Sequence, residues 1–265
     1  RGMFVGAPFD FSFVISAFSK LWSTLGITLL IVGGSLLTGI LVGFLIAFPR
    51  LYRIPVLEQF SKVYVSFFRG TPILIQLFLF YYGLPELLKL VNLDISRAPV
   101  LFFVILTYGL HTGAFMSEMI RASVTAVDRG QVEAAYAIGM KGHQAFTRIV
   151  MPQALAVAVP VLSNMVIALL KDTSLAVTLG VMELTGKAQT LGALTQHFIE
   201  AYLALAFIYL VVSFTLEKLL RAAERRLLKH EQSDGAERRK FRIERKPSLR
   251  AIFAGIGAEK GGAKL

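Results

Sequence analysis

Few side chains in this 265-residue sequence are equipped for chemistry, and most stand inside or beside long apolar runs. Gln76 interrupts a stretch rich in Leu, Phe and Tyr. His111, Thr112 and Glu118 interrupt a second, and Asp172, Thr173 and Ser174 follow directly on a third. Polar and ionisable groups in such runs are costly to bury, so they are read first as functional. Each also has a structural alternative. The Asp172 carboxylate can pair with Lys171, or Asp172, Thr173 or Ser174 can cap a short helix. His111 can satisfy itself in a hydrogen bond between helices, and Glu118 with Arg121 can form a structural ion pair. Arg69 either anchors the Gly70-Thr71-Pro72 turn or attracts a carboxylate to it. The rings around Phe78 and Tyr82 suit packing and interfacial anchoring better than a ligand cage.

No catalytic set can be assembled from these groups. A Gly-rich phosphate loop ending in Gly-Lys-Ser/Thr is missing, and Gly70-Thr71-Pro72 lacks the lysine, so the chain is not expected to hydrolyse ATP. His111, His143, His197 and His230 have no metal-ligand spacing, and with no cysteine there is no disulfide or thiolate site. Neither a metal nor a cofactor is therefore expected in this chain.

The elements that hold these residues are membrane helices. The sequence is 55% hydrophobic with a mean hydropathy of +0.64, and its charges crowd into a few short segments. A span takes about 20 apolar residues, and five stretches qualify: 21–48, 72–90, 98–120, 153–170 and 199–219. Gly26, Gly33, Gly34, Gly39 and Gly43 line the first, which suits close packing of another helix of the same chain better than a dimer face. Residues 171–197 are too polar and too rich in Gly and Thr to cross simply. They are expected to form a re-entrant or broken helix beside a cavity. The net charge of +11 flanks the apolar runs, which points to lipid headgroups and not to nucleic acid.

Lys and Arg set the orientation. Arg50, Arg53 and Lys62 lie between the first two spans, and Arg121, Arg129, Lys141 and Arg148 between the third and fourth. Twelve more stand between Lys218 and Arg250. The alternate segments are poorer, so the N-terminus is expected outside and the C-terminus in the cytoplasm. Residues 1–20 read as an extracytoplasmic interfacial segment, 21–229 as the membrane domain, and 230–265 as a flexible basic tail.

The cytoplasmic stretch 128–152 carries the most specific pattern. Glu133 to Ile138 favours helix, Gly139 suits the left-handed turn that ends one, and Gly142 permits a second turn. Residues 142–150 then place Phe146, Ile149 and Val150 together. Two short helices around a glycine turn would present an amphipathic knob to a groove in a partner. Pro152 follows where a span can begin.

In its order Glu133-Ala134-Ala135, three residues, Gly139, nine residues, Ile149, Met151-Pro152, the stretch resembles the EAA loop of binding-protein-dependent ABC importer permeases. Residues Ser66 to Pro72, Gln76, Tyr81 to Pro85, Ser117 to Arg121, Gly130-Gln131 and Leu170 to Leu175 resemble the polar amino acid uptake branch, cystine permeases among them. Met151 stands where leucine is common in that family, and His111 where asparagine is expected. The resemblance covers residues 21–229. It implies an all-α type I importer permease of five transmembrane helices in the bacterial cytoplasmic membrane. It also implies two ATPase subunits that bind ATP and Mg, a second permease copy or homologue, and an extracytoplasmic substrate-binding protein. Glu133, Ala134, Ala135, Gly139, Phe146, Ile149 and Pro152 would meet the ATPase. Asp172 would receive the α-ammonium of a polar amino acid, with Thr173, Ser174, Gln76 and His111 nearby. The alternative is a secondary amino acid transporter or channel without an ATPase.

Overall fold

The structure, a computed structural model, describes residues 8–228. The basic tail assigned to 230–265 lies outside the described residues, as do the first seven residues of the N-terminal segment. By its internal contacts the chain divides into Arg1–Ala222 and Ala223–Leu265. Everything below except the end of the last helix belongs to the first unit.

The regular elements among the described residues are all helices. In order they are α1 (Phe11–Trp22), α2 (Leu25–Leu51), α3 (Pro55–Gly70), α4 (Ile73–Phe78), α5 (Leu84–Lys89), α6 (Val100–Thr125), α7 (Arg129–Ala137), α8 (Gly142–Ala145), α9 (Met151–Asp172), α10 (Leu184–Thr195) and α11 (Phe198–Leu227). Widened turns at Leu79–Gly83 and Phe146–Val150 join α4 to α5 and α8 to α9, and a tight 3₁₀ stretch, Thr173–Leu179, continues α9. Four helical stretches are long and apolar enough to cross a membrane: Leu25–Leu51, Val100–Thr125, Gly142–Leu179 and Phe198–Leu227. The fifth is the broken pair Pro55–Gly70 and Ile73–Lys89, bent by 112°. Five apolar elements were expected, but two boundaries differ. Leu21 belongs to α1, and the expected link between the first two spans is itself the helix α3. Pro55 starts α3 at a position that needs no N–H donor. Thr71 ends it because the residue before Pro72 is pushed to extended backbone, here with ψ 144°.

α6 is the central element, packing along α2, α9, α3 and α4. Its contact with α2 is an interlock of small residues. A Cβ on Gly109 would lie 2.6 Å from Thr38 Cβ, and one on Gly113 2.8 Å from Val42 Cβ. Reciprocally, a Cβ on Gly39 would meet Thr112 Cβ at 3.0 Å, and one on Gly43 Met116 Cβ at 2.7 Å. Glycines four apart on each helix thus receive the side chains of the other, so dispersion acts over the full crossing without help from hydrophobic exclusion. The glycine run of the first span serves packing within the chain. Outward, α2 shows Leu37, Leu41, Phe44 and Leu45, the apolar face that lipid requires.

One core gathers Ile31, Val32, Leu77, Val104, Tyr108, Leu169, Leu170 and Ala176 where α2, α4, α6 and α9 meet. A second, with Ala17, Leu21, Leu184, Ala188, Ala201 and Leu205, fastens α1 to α10 and α11. There the Asp10 N–H and His197 Nδ1 both reach Glu200 Oε1, at 2.9 and 3.0 Å.

Candidate functional site

The stretch 128–152 folds as its turn residues dictate. Asp128 caps α7 by accepting the Gly130 N–H at 2.6 Å. At the other end Gly139 adopts φ +83°. Its N–H bonds to the Tyr136 carbonyl at 2.9 Å, and the Met140 N–H reaches the Ala135 carbonyl at 3.0 Å. These are the two bonds of a Schellman stop, which a residue with a Cβ makes only under strain. The chain restarts at once, with Gln144 Oε1 accepting the Lys141 N–H at 2.9 Å. Ala135 and Ala145 are buried, and α7 packs on α8 and on the widened turn that follows it. Glu133, Ala134 and Gly139 are exposed, as are Tyr136, Ile138 and Phe146, while Ile149 and Pro152 are half-buried.

One expectation needs correcting. The second half of the knob is not a separate helix. It runs through the widened turn into α9 without interruption, because Pro152 falls in the first turn of the regular segment, where its missing N–H is tolerated.

At the far end of α9 the helix tightens at Thr173. Thr173 is fully buried, and its hydroxyl donates to the Leu170 carbonyl at 2.7 Å. Asp172 and Ser174 are half-buried. Among the described residues, the Asp172 carboxylate forms neither the Lys171 pair nor a helix cap. Its backbone carbonyl accepts from the buried Tyr108 hydroxyl at 2.5 Å, which fastens the break to α6.

Gln76 of α4 and His111 of α6 lie together, away from this break. Gln76 is fully buried, and its Nε2 lies 3.0 Å from the Phe68 and Thr71 carbonyls and 2.7 Å from Thr71 Oγ1. Carbonyls only accept, so this amide can be oriented only one way. Its Oε1 then accepts from His111 Nδ1 at 2.9 Å, and His111 Nε2 makes no hydrogen bond among the described residues. Gln76 therefore clamps the α3–α4 bend and presents His111. No hydrogen bond joins His111 to Asp172 among the described residues. Arg69 lies over the Phe115 ring, 5.5 Å from its centre. Glu118 takes Arg121 at 2.9 Å and also Arg50 of α2, a structural triad where a pair was expected.

Three further sets of contacts were not anticipated from the sequence. The Glu183 carboxylate is fully buried, caps α10 through the Gly186 N–H at 2.9 Å, and accepts from Tyr209 at 3.3 Å. Glutamate three residues before Gly186 is the only local signal for it. Tyr108 and the Gln131–Gln153 contact, 2.6 Å, join residues far apart in sequence and leave no local pattern.

A short exposed helix and glycine turn continuous with an apolar span, whose far end breaks at a half-buried carboxylate, suit a membrane transport protein. Residues 39–229 match the family model described as "Binding-protein-dependent transport system inner membrane component". The chain belongs to that family. It is similar to the L-cystine transport system permease protein TcyL of Bacillus subtilis (strain 168), 46% identical over 84% of this chain and 93% of that protein. It is also similar to the probable amino-acid ABC transporter permease protein PatM of Vibrio harveyi, 41% identical over 83% and 97%. Among solved structures, one titled as an amino acid ABC transporter with histidines matches with a TM-score of 0.73 and 32% identity. It covers 83% of this chain and 99% of that one. The MetNI methionine transporter, 19% identical with a TM-score of 0.56, shares the fold. The all-α type I importer permease fold expected from the sequence is the one found, and the family member is a multi-pass inner membrane component.

Proposed function

We propose that this family member is the permease subunit of an ATP-driven importer that carries a polar amino acid across the cytoplasmic membrane. Relatives named for L-cystine and other amino acids support the substrate class, and cystine is the first compound to test. The observation that carries the coupling half is the knob. Glu133, Ala134, Gly139, Ile138 and Phe146 are exposed on a short helix and turn that are rigidly stopped and continuous with α9. An exposed apolar and acidic ridge of this kind fits a groove in a partner ATPase. ATP and Mg belong to two such ATPases and not to this chain. A second permease copy or homologue completes the pathway, and an extracytoplasmic protein delivers the substrate.

In this reading the N-terminus is outside, 21–229 is the transport domain with its coupling loop at 128–152, and 230–265 is a cytoplasmic tail. ATP binding closes the ATPases and moves the knobs. The spans then rock between states with different affinity for the amino acid, which is what directional transport requires. Asp172, with Ser174 beside it, receives the ammonium group. Thr173 supports the break by its bond to Leu170, and Gln76 holds His111 with one nitrogen available.

The test is reconstitution with the cognate ATPase and binding protein in vesicles, following uptake of cystine and other polar amino acids. Uptake is expected to require ATP and the binding protein. Uptake driven by an ion gradient without the ATPase would overturn the reading in favour of a secondary transporter.

A further inference from the structure

Gln131 in α7 and Gln153 in α9 are 22 positions apart, both half-buried, and joined side chain to side chain. Gln153 Nε2 donates to Gln131 Oε1 at 2.6 Å and to the Ile149 carbonyl at 2.9 Å. The second bond fixes the orientation of the Gln153 amide, since a carbonyl accepts only. Gln131 must then be the acceptor. The contact falls in the first turn of α9, beside Pro152. α7 is short, and both of its ends are turns. Its capping bond at Asp128 and its stop at Gly139 are internal to the loop. Ala135 is buried and α7 packs on α8 and the widened turn after it, but the Gln131–Gln153 bond is a directional link from α7 to α9 itself.

We propose that this amide pair is the strut that makes the coupling helix and the span α9 move as one body. A displacement of α7 then reaches α9 below Pro160 instead of being absorbed by the turns around Gly139. Gln131 and Gln153 are positioning residues, which touch neither substrate nor nucleotide. The proposal rests on the reading of 128–152 as the ATPase-coupling loop.

The experiment uses the assembled transporter and measures amino acid imported per ATP hydrolysed, a ratio that a loss of stability does not change. Gln131→Met and Gln153→Met keep the length and remove the bond. Each is expected to lower the ratio between about twofold and thirtyfold, the range carried by one link in a coupled network. The double variant is expected to be no worse than the poorer single one, because both remove the same link. Gln131→Glu keeps an acceptor for Gln153 and is expected to retain the parent ratio within about twofold. The sequence has no cysteine, so Gln131→Cys with Gln153→Cys reports on the pair alone. Closing that pair with a short cross-linker is expected to raise the ratio above that of the reduced form.

A parent ratio in the assembled methionine variants, or a cross-link that stops uptake, overturns the strut. The cysteine pair decides the matter if the methionine variants fail to assemble. Gly139→Asp serves as control, read by ATPase copurification and uptake. If it loses both while the glutamine variants keep the parent ratio, the strut alone fails; if it keeps both and the glutamine variants keep the ratio, the coupling reading of 128–152 fails with it.

Discussion

Replacing Asp172 with asparagine separates a substrate contact from a structural one. The side chain is half-buried and, among the described residues, makes no ion pair and no helix cap. What fastens this position is its backbone carbonyl, held by Tyr108 at 2.5 Å, and a change from Asp to Asn leaves that bond in place. Folding should therefore change by no more than about 0.5 kcal/mol, the usual range for a substitution that breaks no buried contact. Binding should change much more. A carboxylate facing an ammonium forms a charge-assisted hydrogen bond, and losing one costs about 1.5–3 kcal/mol. At about 1.4 kcal/mol per factor of ten, the affinity falls at least tenfold. The assay is substrate binding to purified complex, with yield and thermal midpoint measured on the same preparation. A deaminated analogue provides the second arm. It has no ammonium to lose, so parent and variant should bind it alike. Equal affinity of both proteins for the intact amino acid, in well-assembled complex, would remove Asp172 from the site and refute the reasoning.

The interlock of α2 with α6 predicts that Gly109→Leu destabilises the membrane domain. Its Cβ alone would sit 2.6 Å from Thr38 Cβ, and overpacking of this kind costs about 1–3 kcal/mol. The measurement is the thermal midpoint in detergent, and an unchanged midpoint would contradict the packing. Gly139→Asp is expected to strain a turn at φ +83° by about 1–2 kcal/mol. No atom lies within 4 Å of its added Cβ, so the variant should insert normally while losing ATPase binding in copurification. The lysine and arginine asymmetry predicts that a thiol placed by Asp94→Cys reacts with an impermeant reagent from outside. Labelling only from the cytoplasm would reverse the topology.

How much of this was legible in the sequence depends on how local each cause is. The knob could be read because a glycine stop and a second turn act locally, so Gly139 and Gly142 state them in order; the Asp128 cap is just as local and was not read. The knob's continuity with α9 could not be read. Pro152 marks the start of a helix as readily as a permitted place inside the first turn, and only the widened turn before it distinguishes the two. The glycines of the first span announced close packing but not a partner, because the complementary residues Thr112 and Met116 lie some 70 positions on. α3 passed for a loop because Glu58, Lys62 and Arg69 interrupt its apolar face. Gln76 and His111 were visible as polar residues in apolar runs, but composition cannot say whether an amide faces a ligand or a backbone. In the structure it faces the backbone of a 112° bend. Glu183 and Tyr209 were missed because their bond crosses between helices.

The positions to which the proposed function assigns coupling and substrate binding share one stretch of helix, and its dimensions set how they would act together. From Pro152 to Asp172 α9 rises about 30 Å, near the thickness of the hydrocarbon core. The knob and the helix break thus stand at opposite ends of one rod. A rod transmits displacement only as far as it is stiff, and α9 has a soft point at Pro160, where an internal proline deletes one backbone bond. The half below it is braced by Gln131 through Gln153. The half above it is held by Tyr108 of α6 at the Asp172 carbonyl, and α6 in turn is locked to α2. Movement entering from α7 therefore has two outcomes, bending at Pro160 or carrying α6 and α2 along. The interlock makes α2 and α6 resist separation, so they respond as a unit. A push on the knob then changes the surroundings of Asp172 either by flexing the rod beneath a fixed break or by moving the break with its whole support. In both cases the proposed site would be altered without any change in its own residues, as the proposed alternation between two affinities requires.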